Sequence, residues 1–213
     1  MNLMSSHFET HSGAPAPVAR SLCKRTLDIV LAALLLLLLA PLFVLVGMAI
    51  KVESPGAVFF RQQRSGLGGR PFTILKFRSM RVHRDQHVAQ ATRSDTRITR
   101  VGAIIRALSV DELPQLFNVL RGDMSIVGPR PHALAHDQRW SLLVADYPRR
   151  FRARPGLTGL AQVRGNRGEV FSVEDIAART RDDNAYIDSW SLALDLKIAL
   201  ATVPLIFADP NAY

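Results

Sequence analysis

Asp111 and Glu112 are the residues of this chain whose types and spacing best suit chemistry. They stand side by side in Ser109-Val110-Asp111-Glu112-Leu113-Pro114, ahead of apolar positions Leu113, Leu116, Phe117 and Leu120 at i, i+3, i+4 and i+7. That spacing predicts an amphipathic helix opening at the acidic pair, with Ser109 and Glu112 as a capping box and Pro114 near the start. In a first turn the positive end of the helix dipole favours the ionised carboxylate. Such a carboxylate can attack phosphorus or coordinate a hard cation. It can equally be a helix cap and nothing more, and the local pattern leaves both readings open. Gly128-Pro129-Arg130-Pro131 follows, pairing rigid backbone with a guanidinium suited to phosphate oxygens, and Arg106 lies five residues before Asp111.

These groups need elements to carry them. Ala57–Arg64 and Pro71–Arg78 read as a β-hairpin around the Gly-rich turn Ser65–Gly69. Lys76 and Arg78, two apart, would share one strand face and could present two cations to a diphosphate, or simply keep a solvated edge from aggregating. Residues 96–108 read as a short basic amphipathic helix with Ile98, Val101, Ile105 and Leu108 on one face, suited to a headgroup plane or to a core. Leu192–Phe207 is strongly apolar but interrupted by Asp195, Lys197 and Pro204, which fits a packed or half-submerged helix. Tyr186 and Trp190 before it suit an interfacial belt or a core.

Ile29–Ile50 is 22 residues without a charge, about 33 Å as a straight helix and long enough to span a bilayer. Pro41 near its middle removes the hydrogen bond to the Leu37 carbonyl, so a kink is expected. Basic residues flank both ends: Arg20, Lys24 and Arg25 before, Lys51, Arg61 and Arg64 after. That symmetry gives no orientation by the positive-inside rule and suits a re-entrant hairpin with both ends cytoplasmic; a kinked transmembrane helix is the other reading.

The chain has 213 residues and a formal charge of +9, from 27 basic residues, 23 of them Arg, against 18 acidic. That excess suits nucleic acid, anionic headgroups or phosphorylated substrates without choosing among them. A single cysteine, Cys23, rules out an internal disulfide. Residues 1–22, rich in Ser, His, Ala and Pro, read as a mobile tail. His83/His87 and His132/His136 have i, i+4 spacing but lack a third ligand or a His-Glu-x-x-His pattern, so a surface or structural role is expected. There is no P-loop, no GxGxxG fingerprint and no zinc cysteine pattern.

The stretch Arg106–Pro131 resembles the signature of the bacterial sugar transferases, the monotopic polyprenyl-phosphate phosphoglycosyl transferases, here in a small single-domain form. The resemblance extends to Lys24-Arg25-Thr26-Leu27-Asp28, Ser54-Pro55-Gly56, Lys76-Phe77-Arg78-Ser79-Met80, Arg154–Val163 and Trp190–Ile198, covering about residues 23–207. Many relatives carry Ser before the membrane proline, where this chain has Ala40. The resemblance implies transfer of a sugar-1-phosphate from a UDP-sugar to polyprenyl (undecaprenyl) phosphate, with release of UMP, as a first membrane step of exopolysaccharide or other glycoconjugate synthesis. It implies Asp111 as nucleophile in a ping-pong scheme and Glu112 as ligand of Mg²⁺. It also implies Lys76, Arg78, Arg106 and Arg130 on phosphates, with Asp123 as a supporting acid. Substrate recognition then falls to the loop Gly128, Pro129, Arg130, Pro131 and to the Pro155–Val163 loop with Gln162. The expected fold is helix-dominated α+β: a tail over 1–22, a re-entrant membrane helix over 23–52 kinked at Pro41, and a catalytic domain over 53–213 with a small β-hairpin and amphipathic interfacial helices. Expected partners are UDP-sugar, polyprenyl phosphate and the lipid bilayer, with room for a homodimer. The expected location is the cytoplasmic face of the bacterial inner membrane. The length points to the catalytic unit alone, without the extra transmembrane helices of larger members.

Two other classes are open to a basic chain with one apolar segment. A membrane-anchored nucleic-acid-binding protein would need a reading helix or stacking aromatics, and aromatics are only 7%. With neither present, no nucleic-acid partner is expected. A CDP-alcohol phosphotransferase would need several spanning helices with clustered Asp residues, and there is one apolar segment.

Overall fold

The computed structural model describes residues 13–81, 95–166, 168 and 170–208. Leucine and alanine dominate the apolar run and are strong helix formers. They give one α-helix, α1 (Leu22–Glu53), that starts where the Ser21 side chain accepts a hydrogen bond from the Lys24 amide. Pro41 lies inside this single helical run rather than dividing it. Only Lys24, Asp28, Ala32, Val46 and Ile50 are buried along it, toward its two ends, while Leu37 and Leu38 in the middle are 76% and 74% exposed.

Both ends are tied to the same body of protein. At the start, Lys24 Nζ is 2.9 Å from Asp195, and Asp28 accepts from Ser125 Oγ at 2.7 Å and the Ile126 amide at 3.1 Å. Arg25 donates to the carbonyls of Val119 and Leu120. At the far end Arg78 donates to the carbonyls of Ser54 and Pro55, each at 2.7 Å, and to Ser54 Oγ. These are carbonyls just past a helix C-terminus, where a cation is favoured.

The hairpin forms as the sequence predicts. β1 (Phe59–Ser65) pairs antiparallel with β2 (Pro71–Phe77), from Phe59 opposite Phe77 to Ser65 opposite Pro71. Gly68 in the turn has φ 66°, a conformation that costs glycine nothing. Phe72, Ile74 and Phe77 are buried, each worth about 1.5–3 kcal/mol. The free edge of β2 is closed by a side chain: Asn118 Oδ1 accepts from the Leu75 amide and its Nδ2 donates to the Thr73 carbonyl.

α2 (Arg100–Ala107) is shorter than the predicted 96–108. Ile98 pairs with Met80 in a β-bridge, so the helix begins only at Thr99, whose side chain caps Gly102. Glu53, at the end of α1, accepts from the Arg100 and Val101 amides. α3 (Gln115–Arg121) and β3 (Ser125–Val127) follow, then α4 (Leu134–Leu143) and β4 (Gly156–Thr158). β3 and β4 form a parallel pair the sequence did not announce. Its strands have three residues each, too short for a period-2 signal.

α5 (Val173–Ser189) carries a Ser172/Asp175 capping box, and α6 (Leu192–Ala208) contains Pro204. α6 buries Ile198 and leaves Leu192, Leu196, Leu200 and Val203 exposed along one face. Tyr186 and Trp190 belong to the interior: both donate to Asp195, and Tyr186 also donates to the Val127 carbonyl. The tail reading needs correcting at its described end. The Ala16 amide bonds the Arg152 carbonyl, and Ala16 and Val18 lie in the core beside Tyr186, Ile187 and Ile198. Two small apolar residues in a Pro- and Ser-rich segment give no periodic signal, which is why sequence reasoning passed over them.

Candidate functional site

The acidic pair does not open a helix. α2 ends at Ala107, Ser109 turns the chain in the left-handed region (φ 53°), and Val110–Glu112 form one 3₁₀ turn of their own. α3 then starts at Gln115 with Pro114 as its N-cap residue. The expected capping box is absent, because Ser109 makes no side-chain cap bond. Pro114 explains the shift: it has no amide hydrogen to donate to the Val110 carbonyl, so the helical ladder is interrupted between the turn carrying the carboxylates and α3, although Leu113 itself has helical φ and ψ.

The two carboxylates have different surroundings. Glu112 is gripped from two sides, by Lys76 Nζ at 2.8 Å and by the Arg130 fork at 3.0 and 2.5 Å. Asp111 is 8% exposed, and among the described residues its carboxylate has no hydrogen-bond or ion-pair partner. Burial alone would push Glu112 up; the charges and hydrogen bonds of Arg130 and Lys76 outweigh it and hold Glu112 well below the usual carboxylate range. For Asp111 burial wins. Its carboxyl sits above the usual range, with Glu112 adding to the push and Lys76, Arg106 and Arg130 pulling back. An unpaired buried carboxylate is costly, and such groups concentrate where they react.

Three elements build this arrangement. β2 supplies Lys76, α2 supplies Arg106, and the segment after β3 supplies Arg130. Arg130 is fixed from behind. Arg150, buried in a 3₁₀ segment (Tyr147–Arg152), donates to the Arg130 carbonyl at 2.6 Å and to Asp183 on α5 at 2.7 and 3.1 Å. The same guanidinium reaches His132 Nδ1 and Tyr147 Oη, and Tyr147 donates to Asp137 at 2.6 Å. Sequence reasoning missed Arg150, Asp183, Tyr147 and Asp137; they come from three elements, and only Tyr147 and Arg150 share a local spacing.

His132 belongs to this network rather than to a metal site. Burial first, then Arg150, Arg179, Arg64 and Arg130, hold it well below its usual pKa and so neutral. His136 stacks on Trp140 at 5.2 Å. His83 and His87 lie outside the described residues.

Several predicted site residues are placed elsewhere. Arg78 does not share a substrate-facing edge with Lys76. It lies just past β2 and its guanidinium is spent on the end of α1. Gly128, Pro129 and Pro131 are buried, and their backbone packs against the Arg154–Gly159 segment. The Gly156 amide donates to the Pro129 carbonyl, and a Cβ on Gly156 or Gly159 would collide with Gly128 backbone atoms. Only Arg130 of that loop reaches the acidic pair. Gln162 is buried in a helical turn (Leu160–Val163), with its Oε1 left without a partner. Asp123 accepts from Asn118 and supports the β2 edge.

No group of three or more His, Cys, Asp or Glu residues suited to a metal occurs among the described residues. At this site Asp111 and Glu112 offer hard carboxylate oxygens. That donor set fits Mg²⁺, which takes one or two protein carboxylates and fills its octahedral shell with water and substrate phosphates.

The sequence matches the family described as bacterial sugar transferase over residues 19–209. It is 59% identical to the UDP-glucose:undecaprenyl-phosphate glucose-1-phosphate transferase of Caulobacter vibrioides, over 94% of this chain and 76% of that relative. It is 45% identical to the enzyme of the same name from Escherichia coli K12, over the whole chain, which spans about half (48%) of that relative's length. The exopolysaccharide production protein PSS of Rhizobium leguminosarum is 45% identical over 84% of this chain and 92% of its own.

Proposed function

Because the chain belongs to the bacterial sugar transferase family, we propose that it transfers glucose-1-phosphate from UDP-glucose to undecaprenyl phosphate, with Asp111 as covalent nucleophile. The observation that carries this is the division of labour in the acidic pair: a buried Asp111 with no partner beside a Glu112 held ionised by Lys76 and Arg130. In the first step an Asp111 oxygen bonds the β-phosphorus, the bond from phosphorus to the bridging oxygen breaks, and UMP leaves with that oxygen and its electrons. In the second, an oxygen of the lipid phosphate attacks the same phosphorus and the Asp111 carboxylate departs, giving the lipid diphosphate sugar. Lys76 and Arg130 move from Glu112 to phosphate oxygens as the diphosphate arrives, so the cluster exchanges one set of anions for another. Glu112, so released, would hold Mg²⁺, which supplies charge neutralisation at the diphosphate. Arg106 keeps its positive charge on Asp111, favouring the ionised, attacking form.

Among the described residues α1 is the one helix long and apolar enough to cross a membrane. In our reading it enters the cytoplasmic leaflet of the inner membrane and returns. Asp28 near the start of α1 is bonded to β3 and Ser54 just past its end is bonded to Arg78, so both ends are tied to one domain, which supports re-entry over crossing. The exposed leucines of α1 and the Leu192–Val203 face of α6 would then meet lipid. Cys23 is exposed at the start of α1. An impermeant maleimide should leave it unlabelled in intact cells and react after permeabilisation; labelling in intact cells would mean the helix crosses.

Activity is tested by incubating detergent-solubilised protein with undecaprenyl phosphate, Mg²⁺ and each of UDP-glucose, UDP-galactose and UDP-N-acetyl sugars. UMP release should be fastest with UDP-glucose. Release with none of them would remove the transferase reading, and preference for another sugar would remove glucose alone.

A further inference from the structure

Arg64 is a half-buried cation with a buried Nε that the mechanism above does not use. It stands next to the last residue of β1, and its backbone forms a β-bridge with Ala133, just past the Gly128–Pro131 loop. Its Nη2 donates to Gln62 Oε1 at 2.6 Å, its Nη1 lies 3.5 Å from the Pro131 carbonyl, and its Nε is buried without a partner. A contact of 3.5 Å is too long to count as a strong hydrogen bond, so bracing Pro131 does not account for the guanidinium. Arg130 has Glu112 and Arg150 has Asp183, yet among the described residues Arg64 has no carboxylate within ion-pair distance.

Its neighbours make this arrangement expensive. Burial and then the charge of Arg130 bring Arg64 down to about 10, with Asp137 and Glu112 only partly compensating. A half-buried guanidinium kept beside another guanidinium, with a buried Nε–H that has no acceptor, is unfavourable unless an anion joins it in the working state.

Building on the nucleotide-sugar reading, we propose that Arg64 and Arg130 together form a phosphate subsite, with Arg64 taking the α-phosphate of the nucleotide, the one that leaves as UMP. The order of the residues gives this assignment. Arg130 touches Glu112, next to the attacking Asp111, and therefore serves the phosphorus under attack; Arg64 bonds neither carboxylate of the pair and sits instead against Pro131 and Ala133, the residues that follow Arg130. The planar fork of a guanidinium, with an unused Nε–H, matches two oxygens of one phosphate. Arg64 thus binds the leaving group and has no part in the attack of the lipid phosphate.

Calorimetric titration of UMP and of uridine into the detergent-solubilised full chain tests this. Wild type should bind UMP more tightly than uridine. Arg64→Gln should weaken UMP by about 10- to 30-fold, leave uridine within about twofold, and leave discharge of the preformed phosphosugar adduct by undecaprenyl phosphate unchanged. UMP binding within twofold of wild type would overturn the subsite. If Arg64→Gln lowers the thermal midpoint, Arg64→Lys decides: it keeps the charge and loses the fork, and should bind UMP about threefold more weakly with the midpoint preserved. Wild-type affinity in that variant would overturn the assignment. Wild-type protein that binds neither UMP nor UDP-glucose overturns the transferase reading itself, and Arg64 with it.

Discussion

Arg130 belongs to two charged clusters that differ in whether each carboxylate has a partner. Its guanidinium grips Glu112 beside Asp111, while its carbonyl is held by Arg150 in the cluster of Asp183, Tyr147, His132 and Asp137. In the Arg150 cluster the Arg150 guanidinium has polar partners on every side, at 2.6 to 3.1 Å, and although Asp137 Oδ2 has no partner, its other oxygen accepts from Tyr147. In the other, Glu112 is saturated and Asp111 has nothing. A buried polar group that finds its partners holds a fold in place. One denied them raises the energy of the resting protein and is available to an incoming atom. The first cluster is therefore a support and the second a site, and their variants should separate along that line.

The largest effect is expected at the pair. Asp111→Asn should cut UMP release by at least about 10³-fold, because an amide is not a nucleophile. Its thermal midpoint should hold or rise, since a buried unpaired carboxylate is removed, a gain of about 1 kcal/mol. Glu112→Gln should lose about 10²-fold, with weakened Mg²⁺ dependence. A fall in the midpoint of Asp111→Asn matching its loss of activity would erase the distinction between the clusters.

Arg150→Met should behave the other way. It leaves Asp183 and Asp137 buried without their cation, at a cost of about 3–5 kcal/mol in stability. Thermal or denaturant unfolding reads this directly. What protein remains folded should show a raised KM for UDP-glucose from a loosened Arg130, and the first chemical step should be less affected.

The smallest effect concerns pH. Burial raises Asp111, so the ionised nucleophile is present above its raised pKa and is lost as pH falls through it. The acid limb of the first half-reaction should lie above the ordinary aspartate range. Arg106 pulls that pKa down, so Arg106→Gln should move the limb to higher pH. A shift to lower pH would contradict the electrostatics described for the site.

How much of this was legible in the sequence follows from the range of each signal. The hairpin came from alternation and a glycine turn within 19 residues, 59–77, and the structure keeps it within two residues of the expected bounds. The α1 segment came from a run without charge, and its ends fell within a residue or so of 23 and 52. The pair Asp111-Glu112, Lys76 and Arg130 were named from residue type and resemblance, and the structure brings them together. Arg78 was misplaced because a two-residue spacing says which face a side chain leaves from, and not that the strand ends at Phe77 with a helix terminus waiting for a cation. The 3₁₀ turn at Val110–Glu112 was hidden by apolar spacing that fits a helix from Asp111 equally well. Arg150 and Asp183 act across 33 residues of sequence, and only tertiary packing shows it.

The central claim is that Asp111 becomes covalently bonded to the transferred phosphorus. Purified protein incubated with UDP-glucose and Mg²⁺, with no lipid acceptor, should gain the mass of one hexose phosphate. It should release one UMP per chain, and peptide mass spectrometry should place the adduct on Asp111. Undecaprenyl phosphate should then discharge it. An unmodified protein that releases UMP only when both substrates are present would contradict the account.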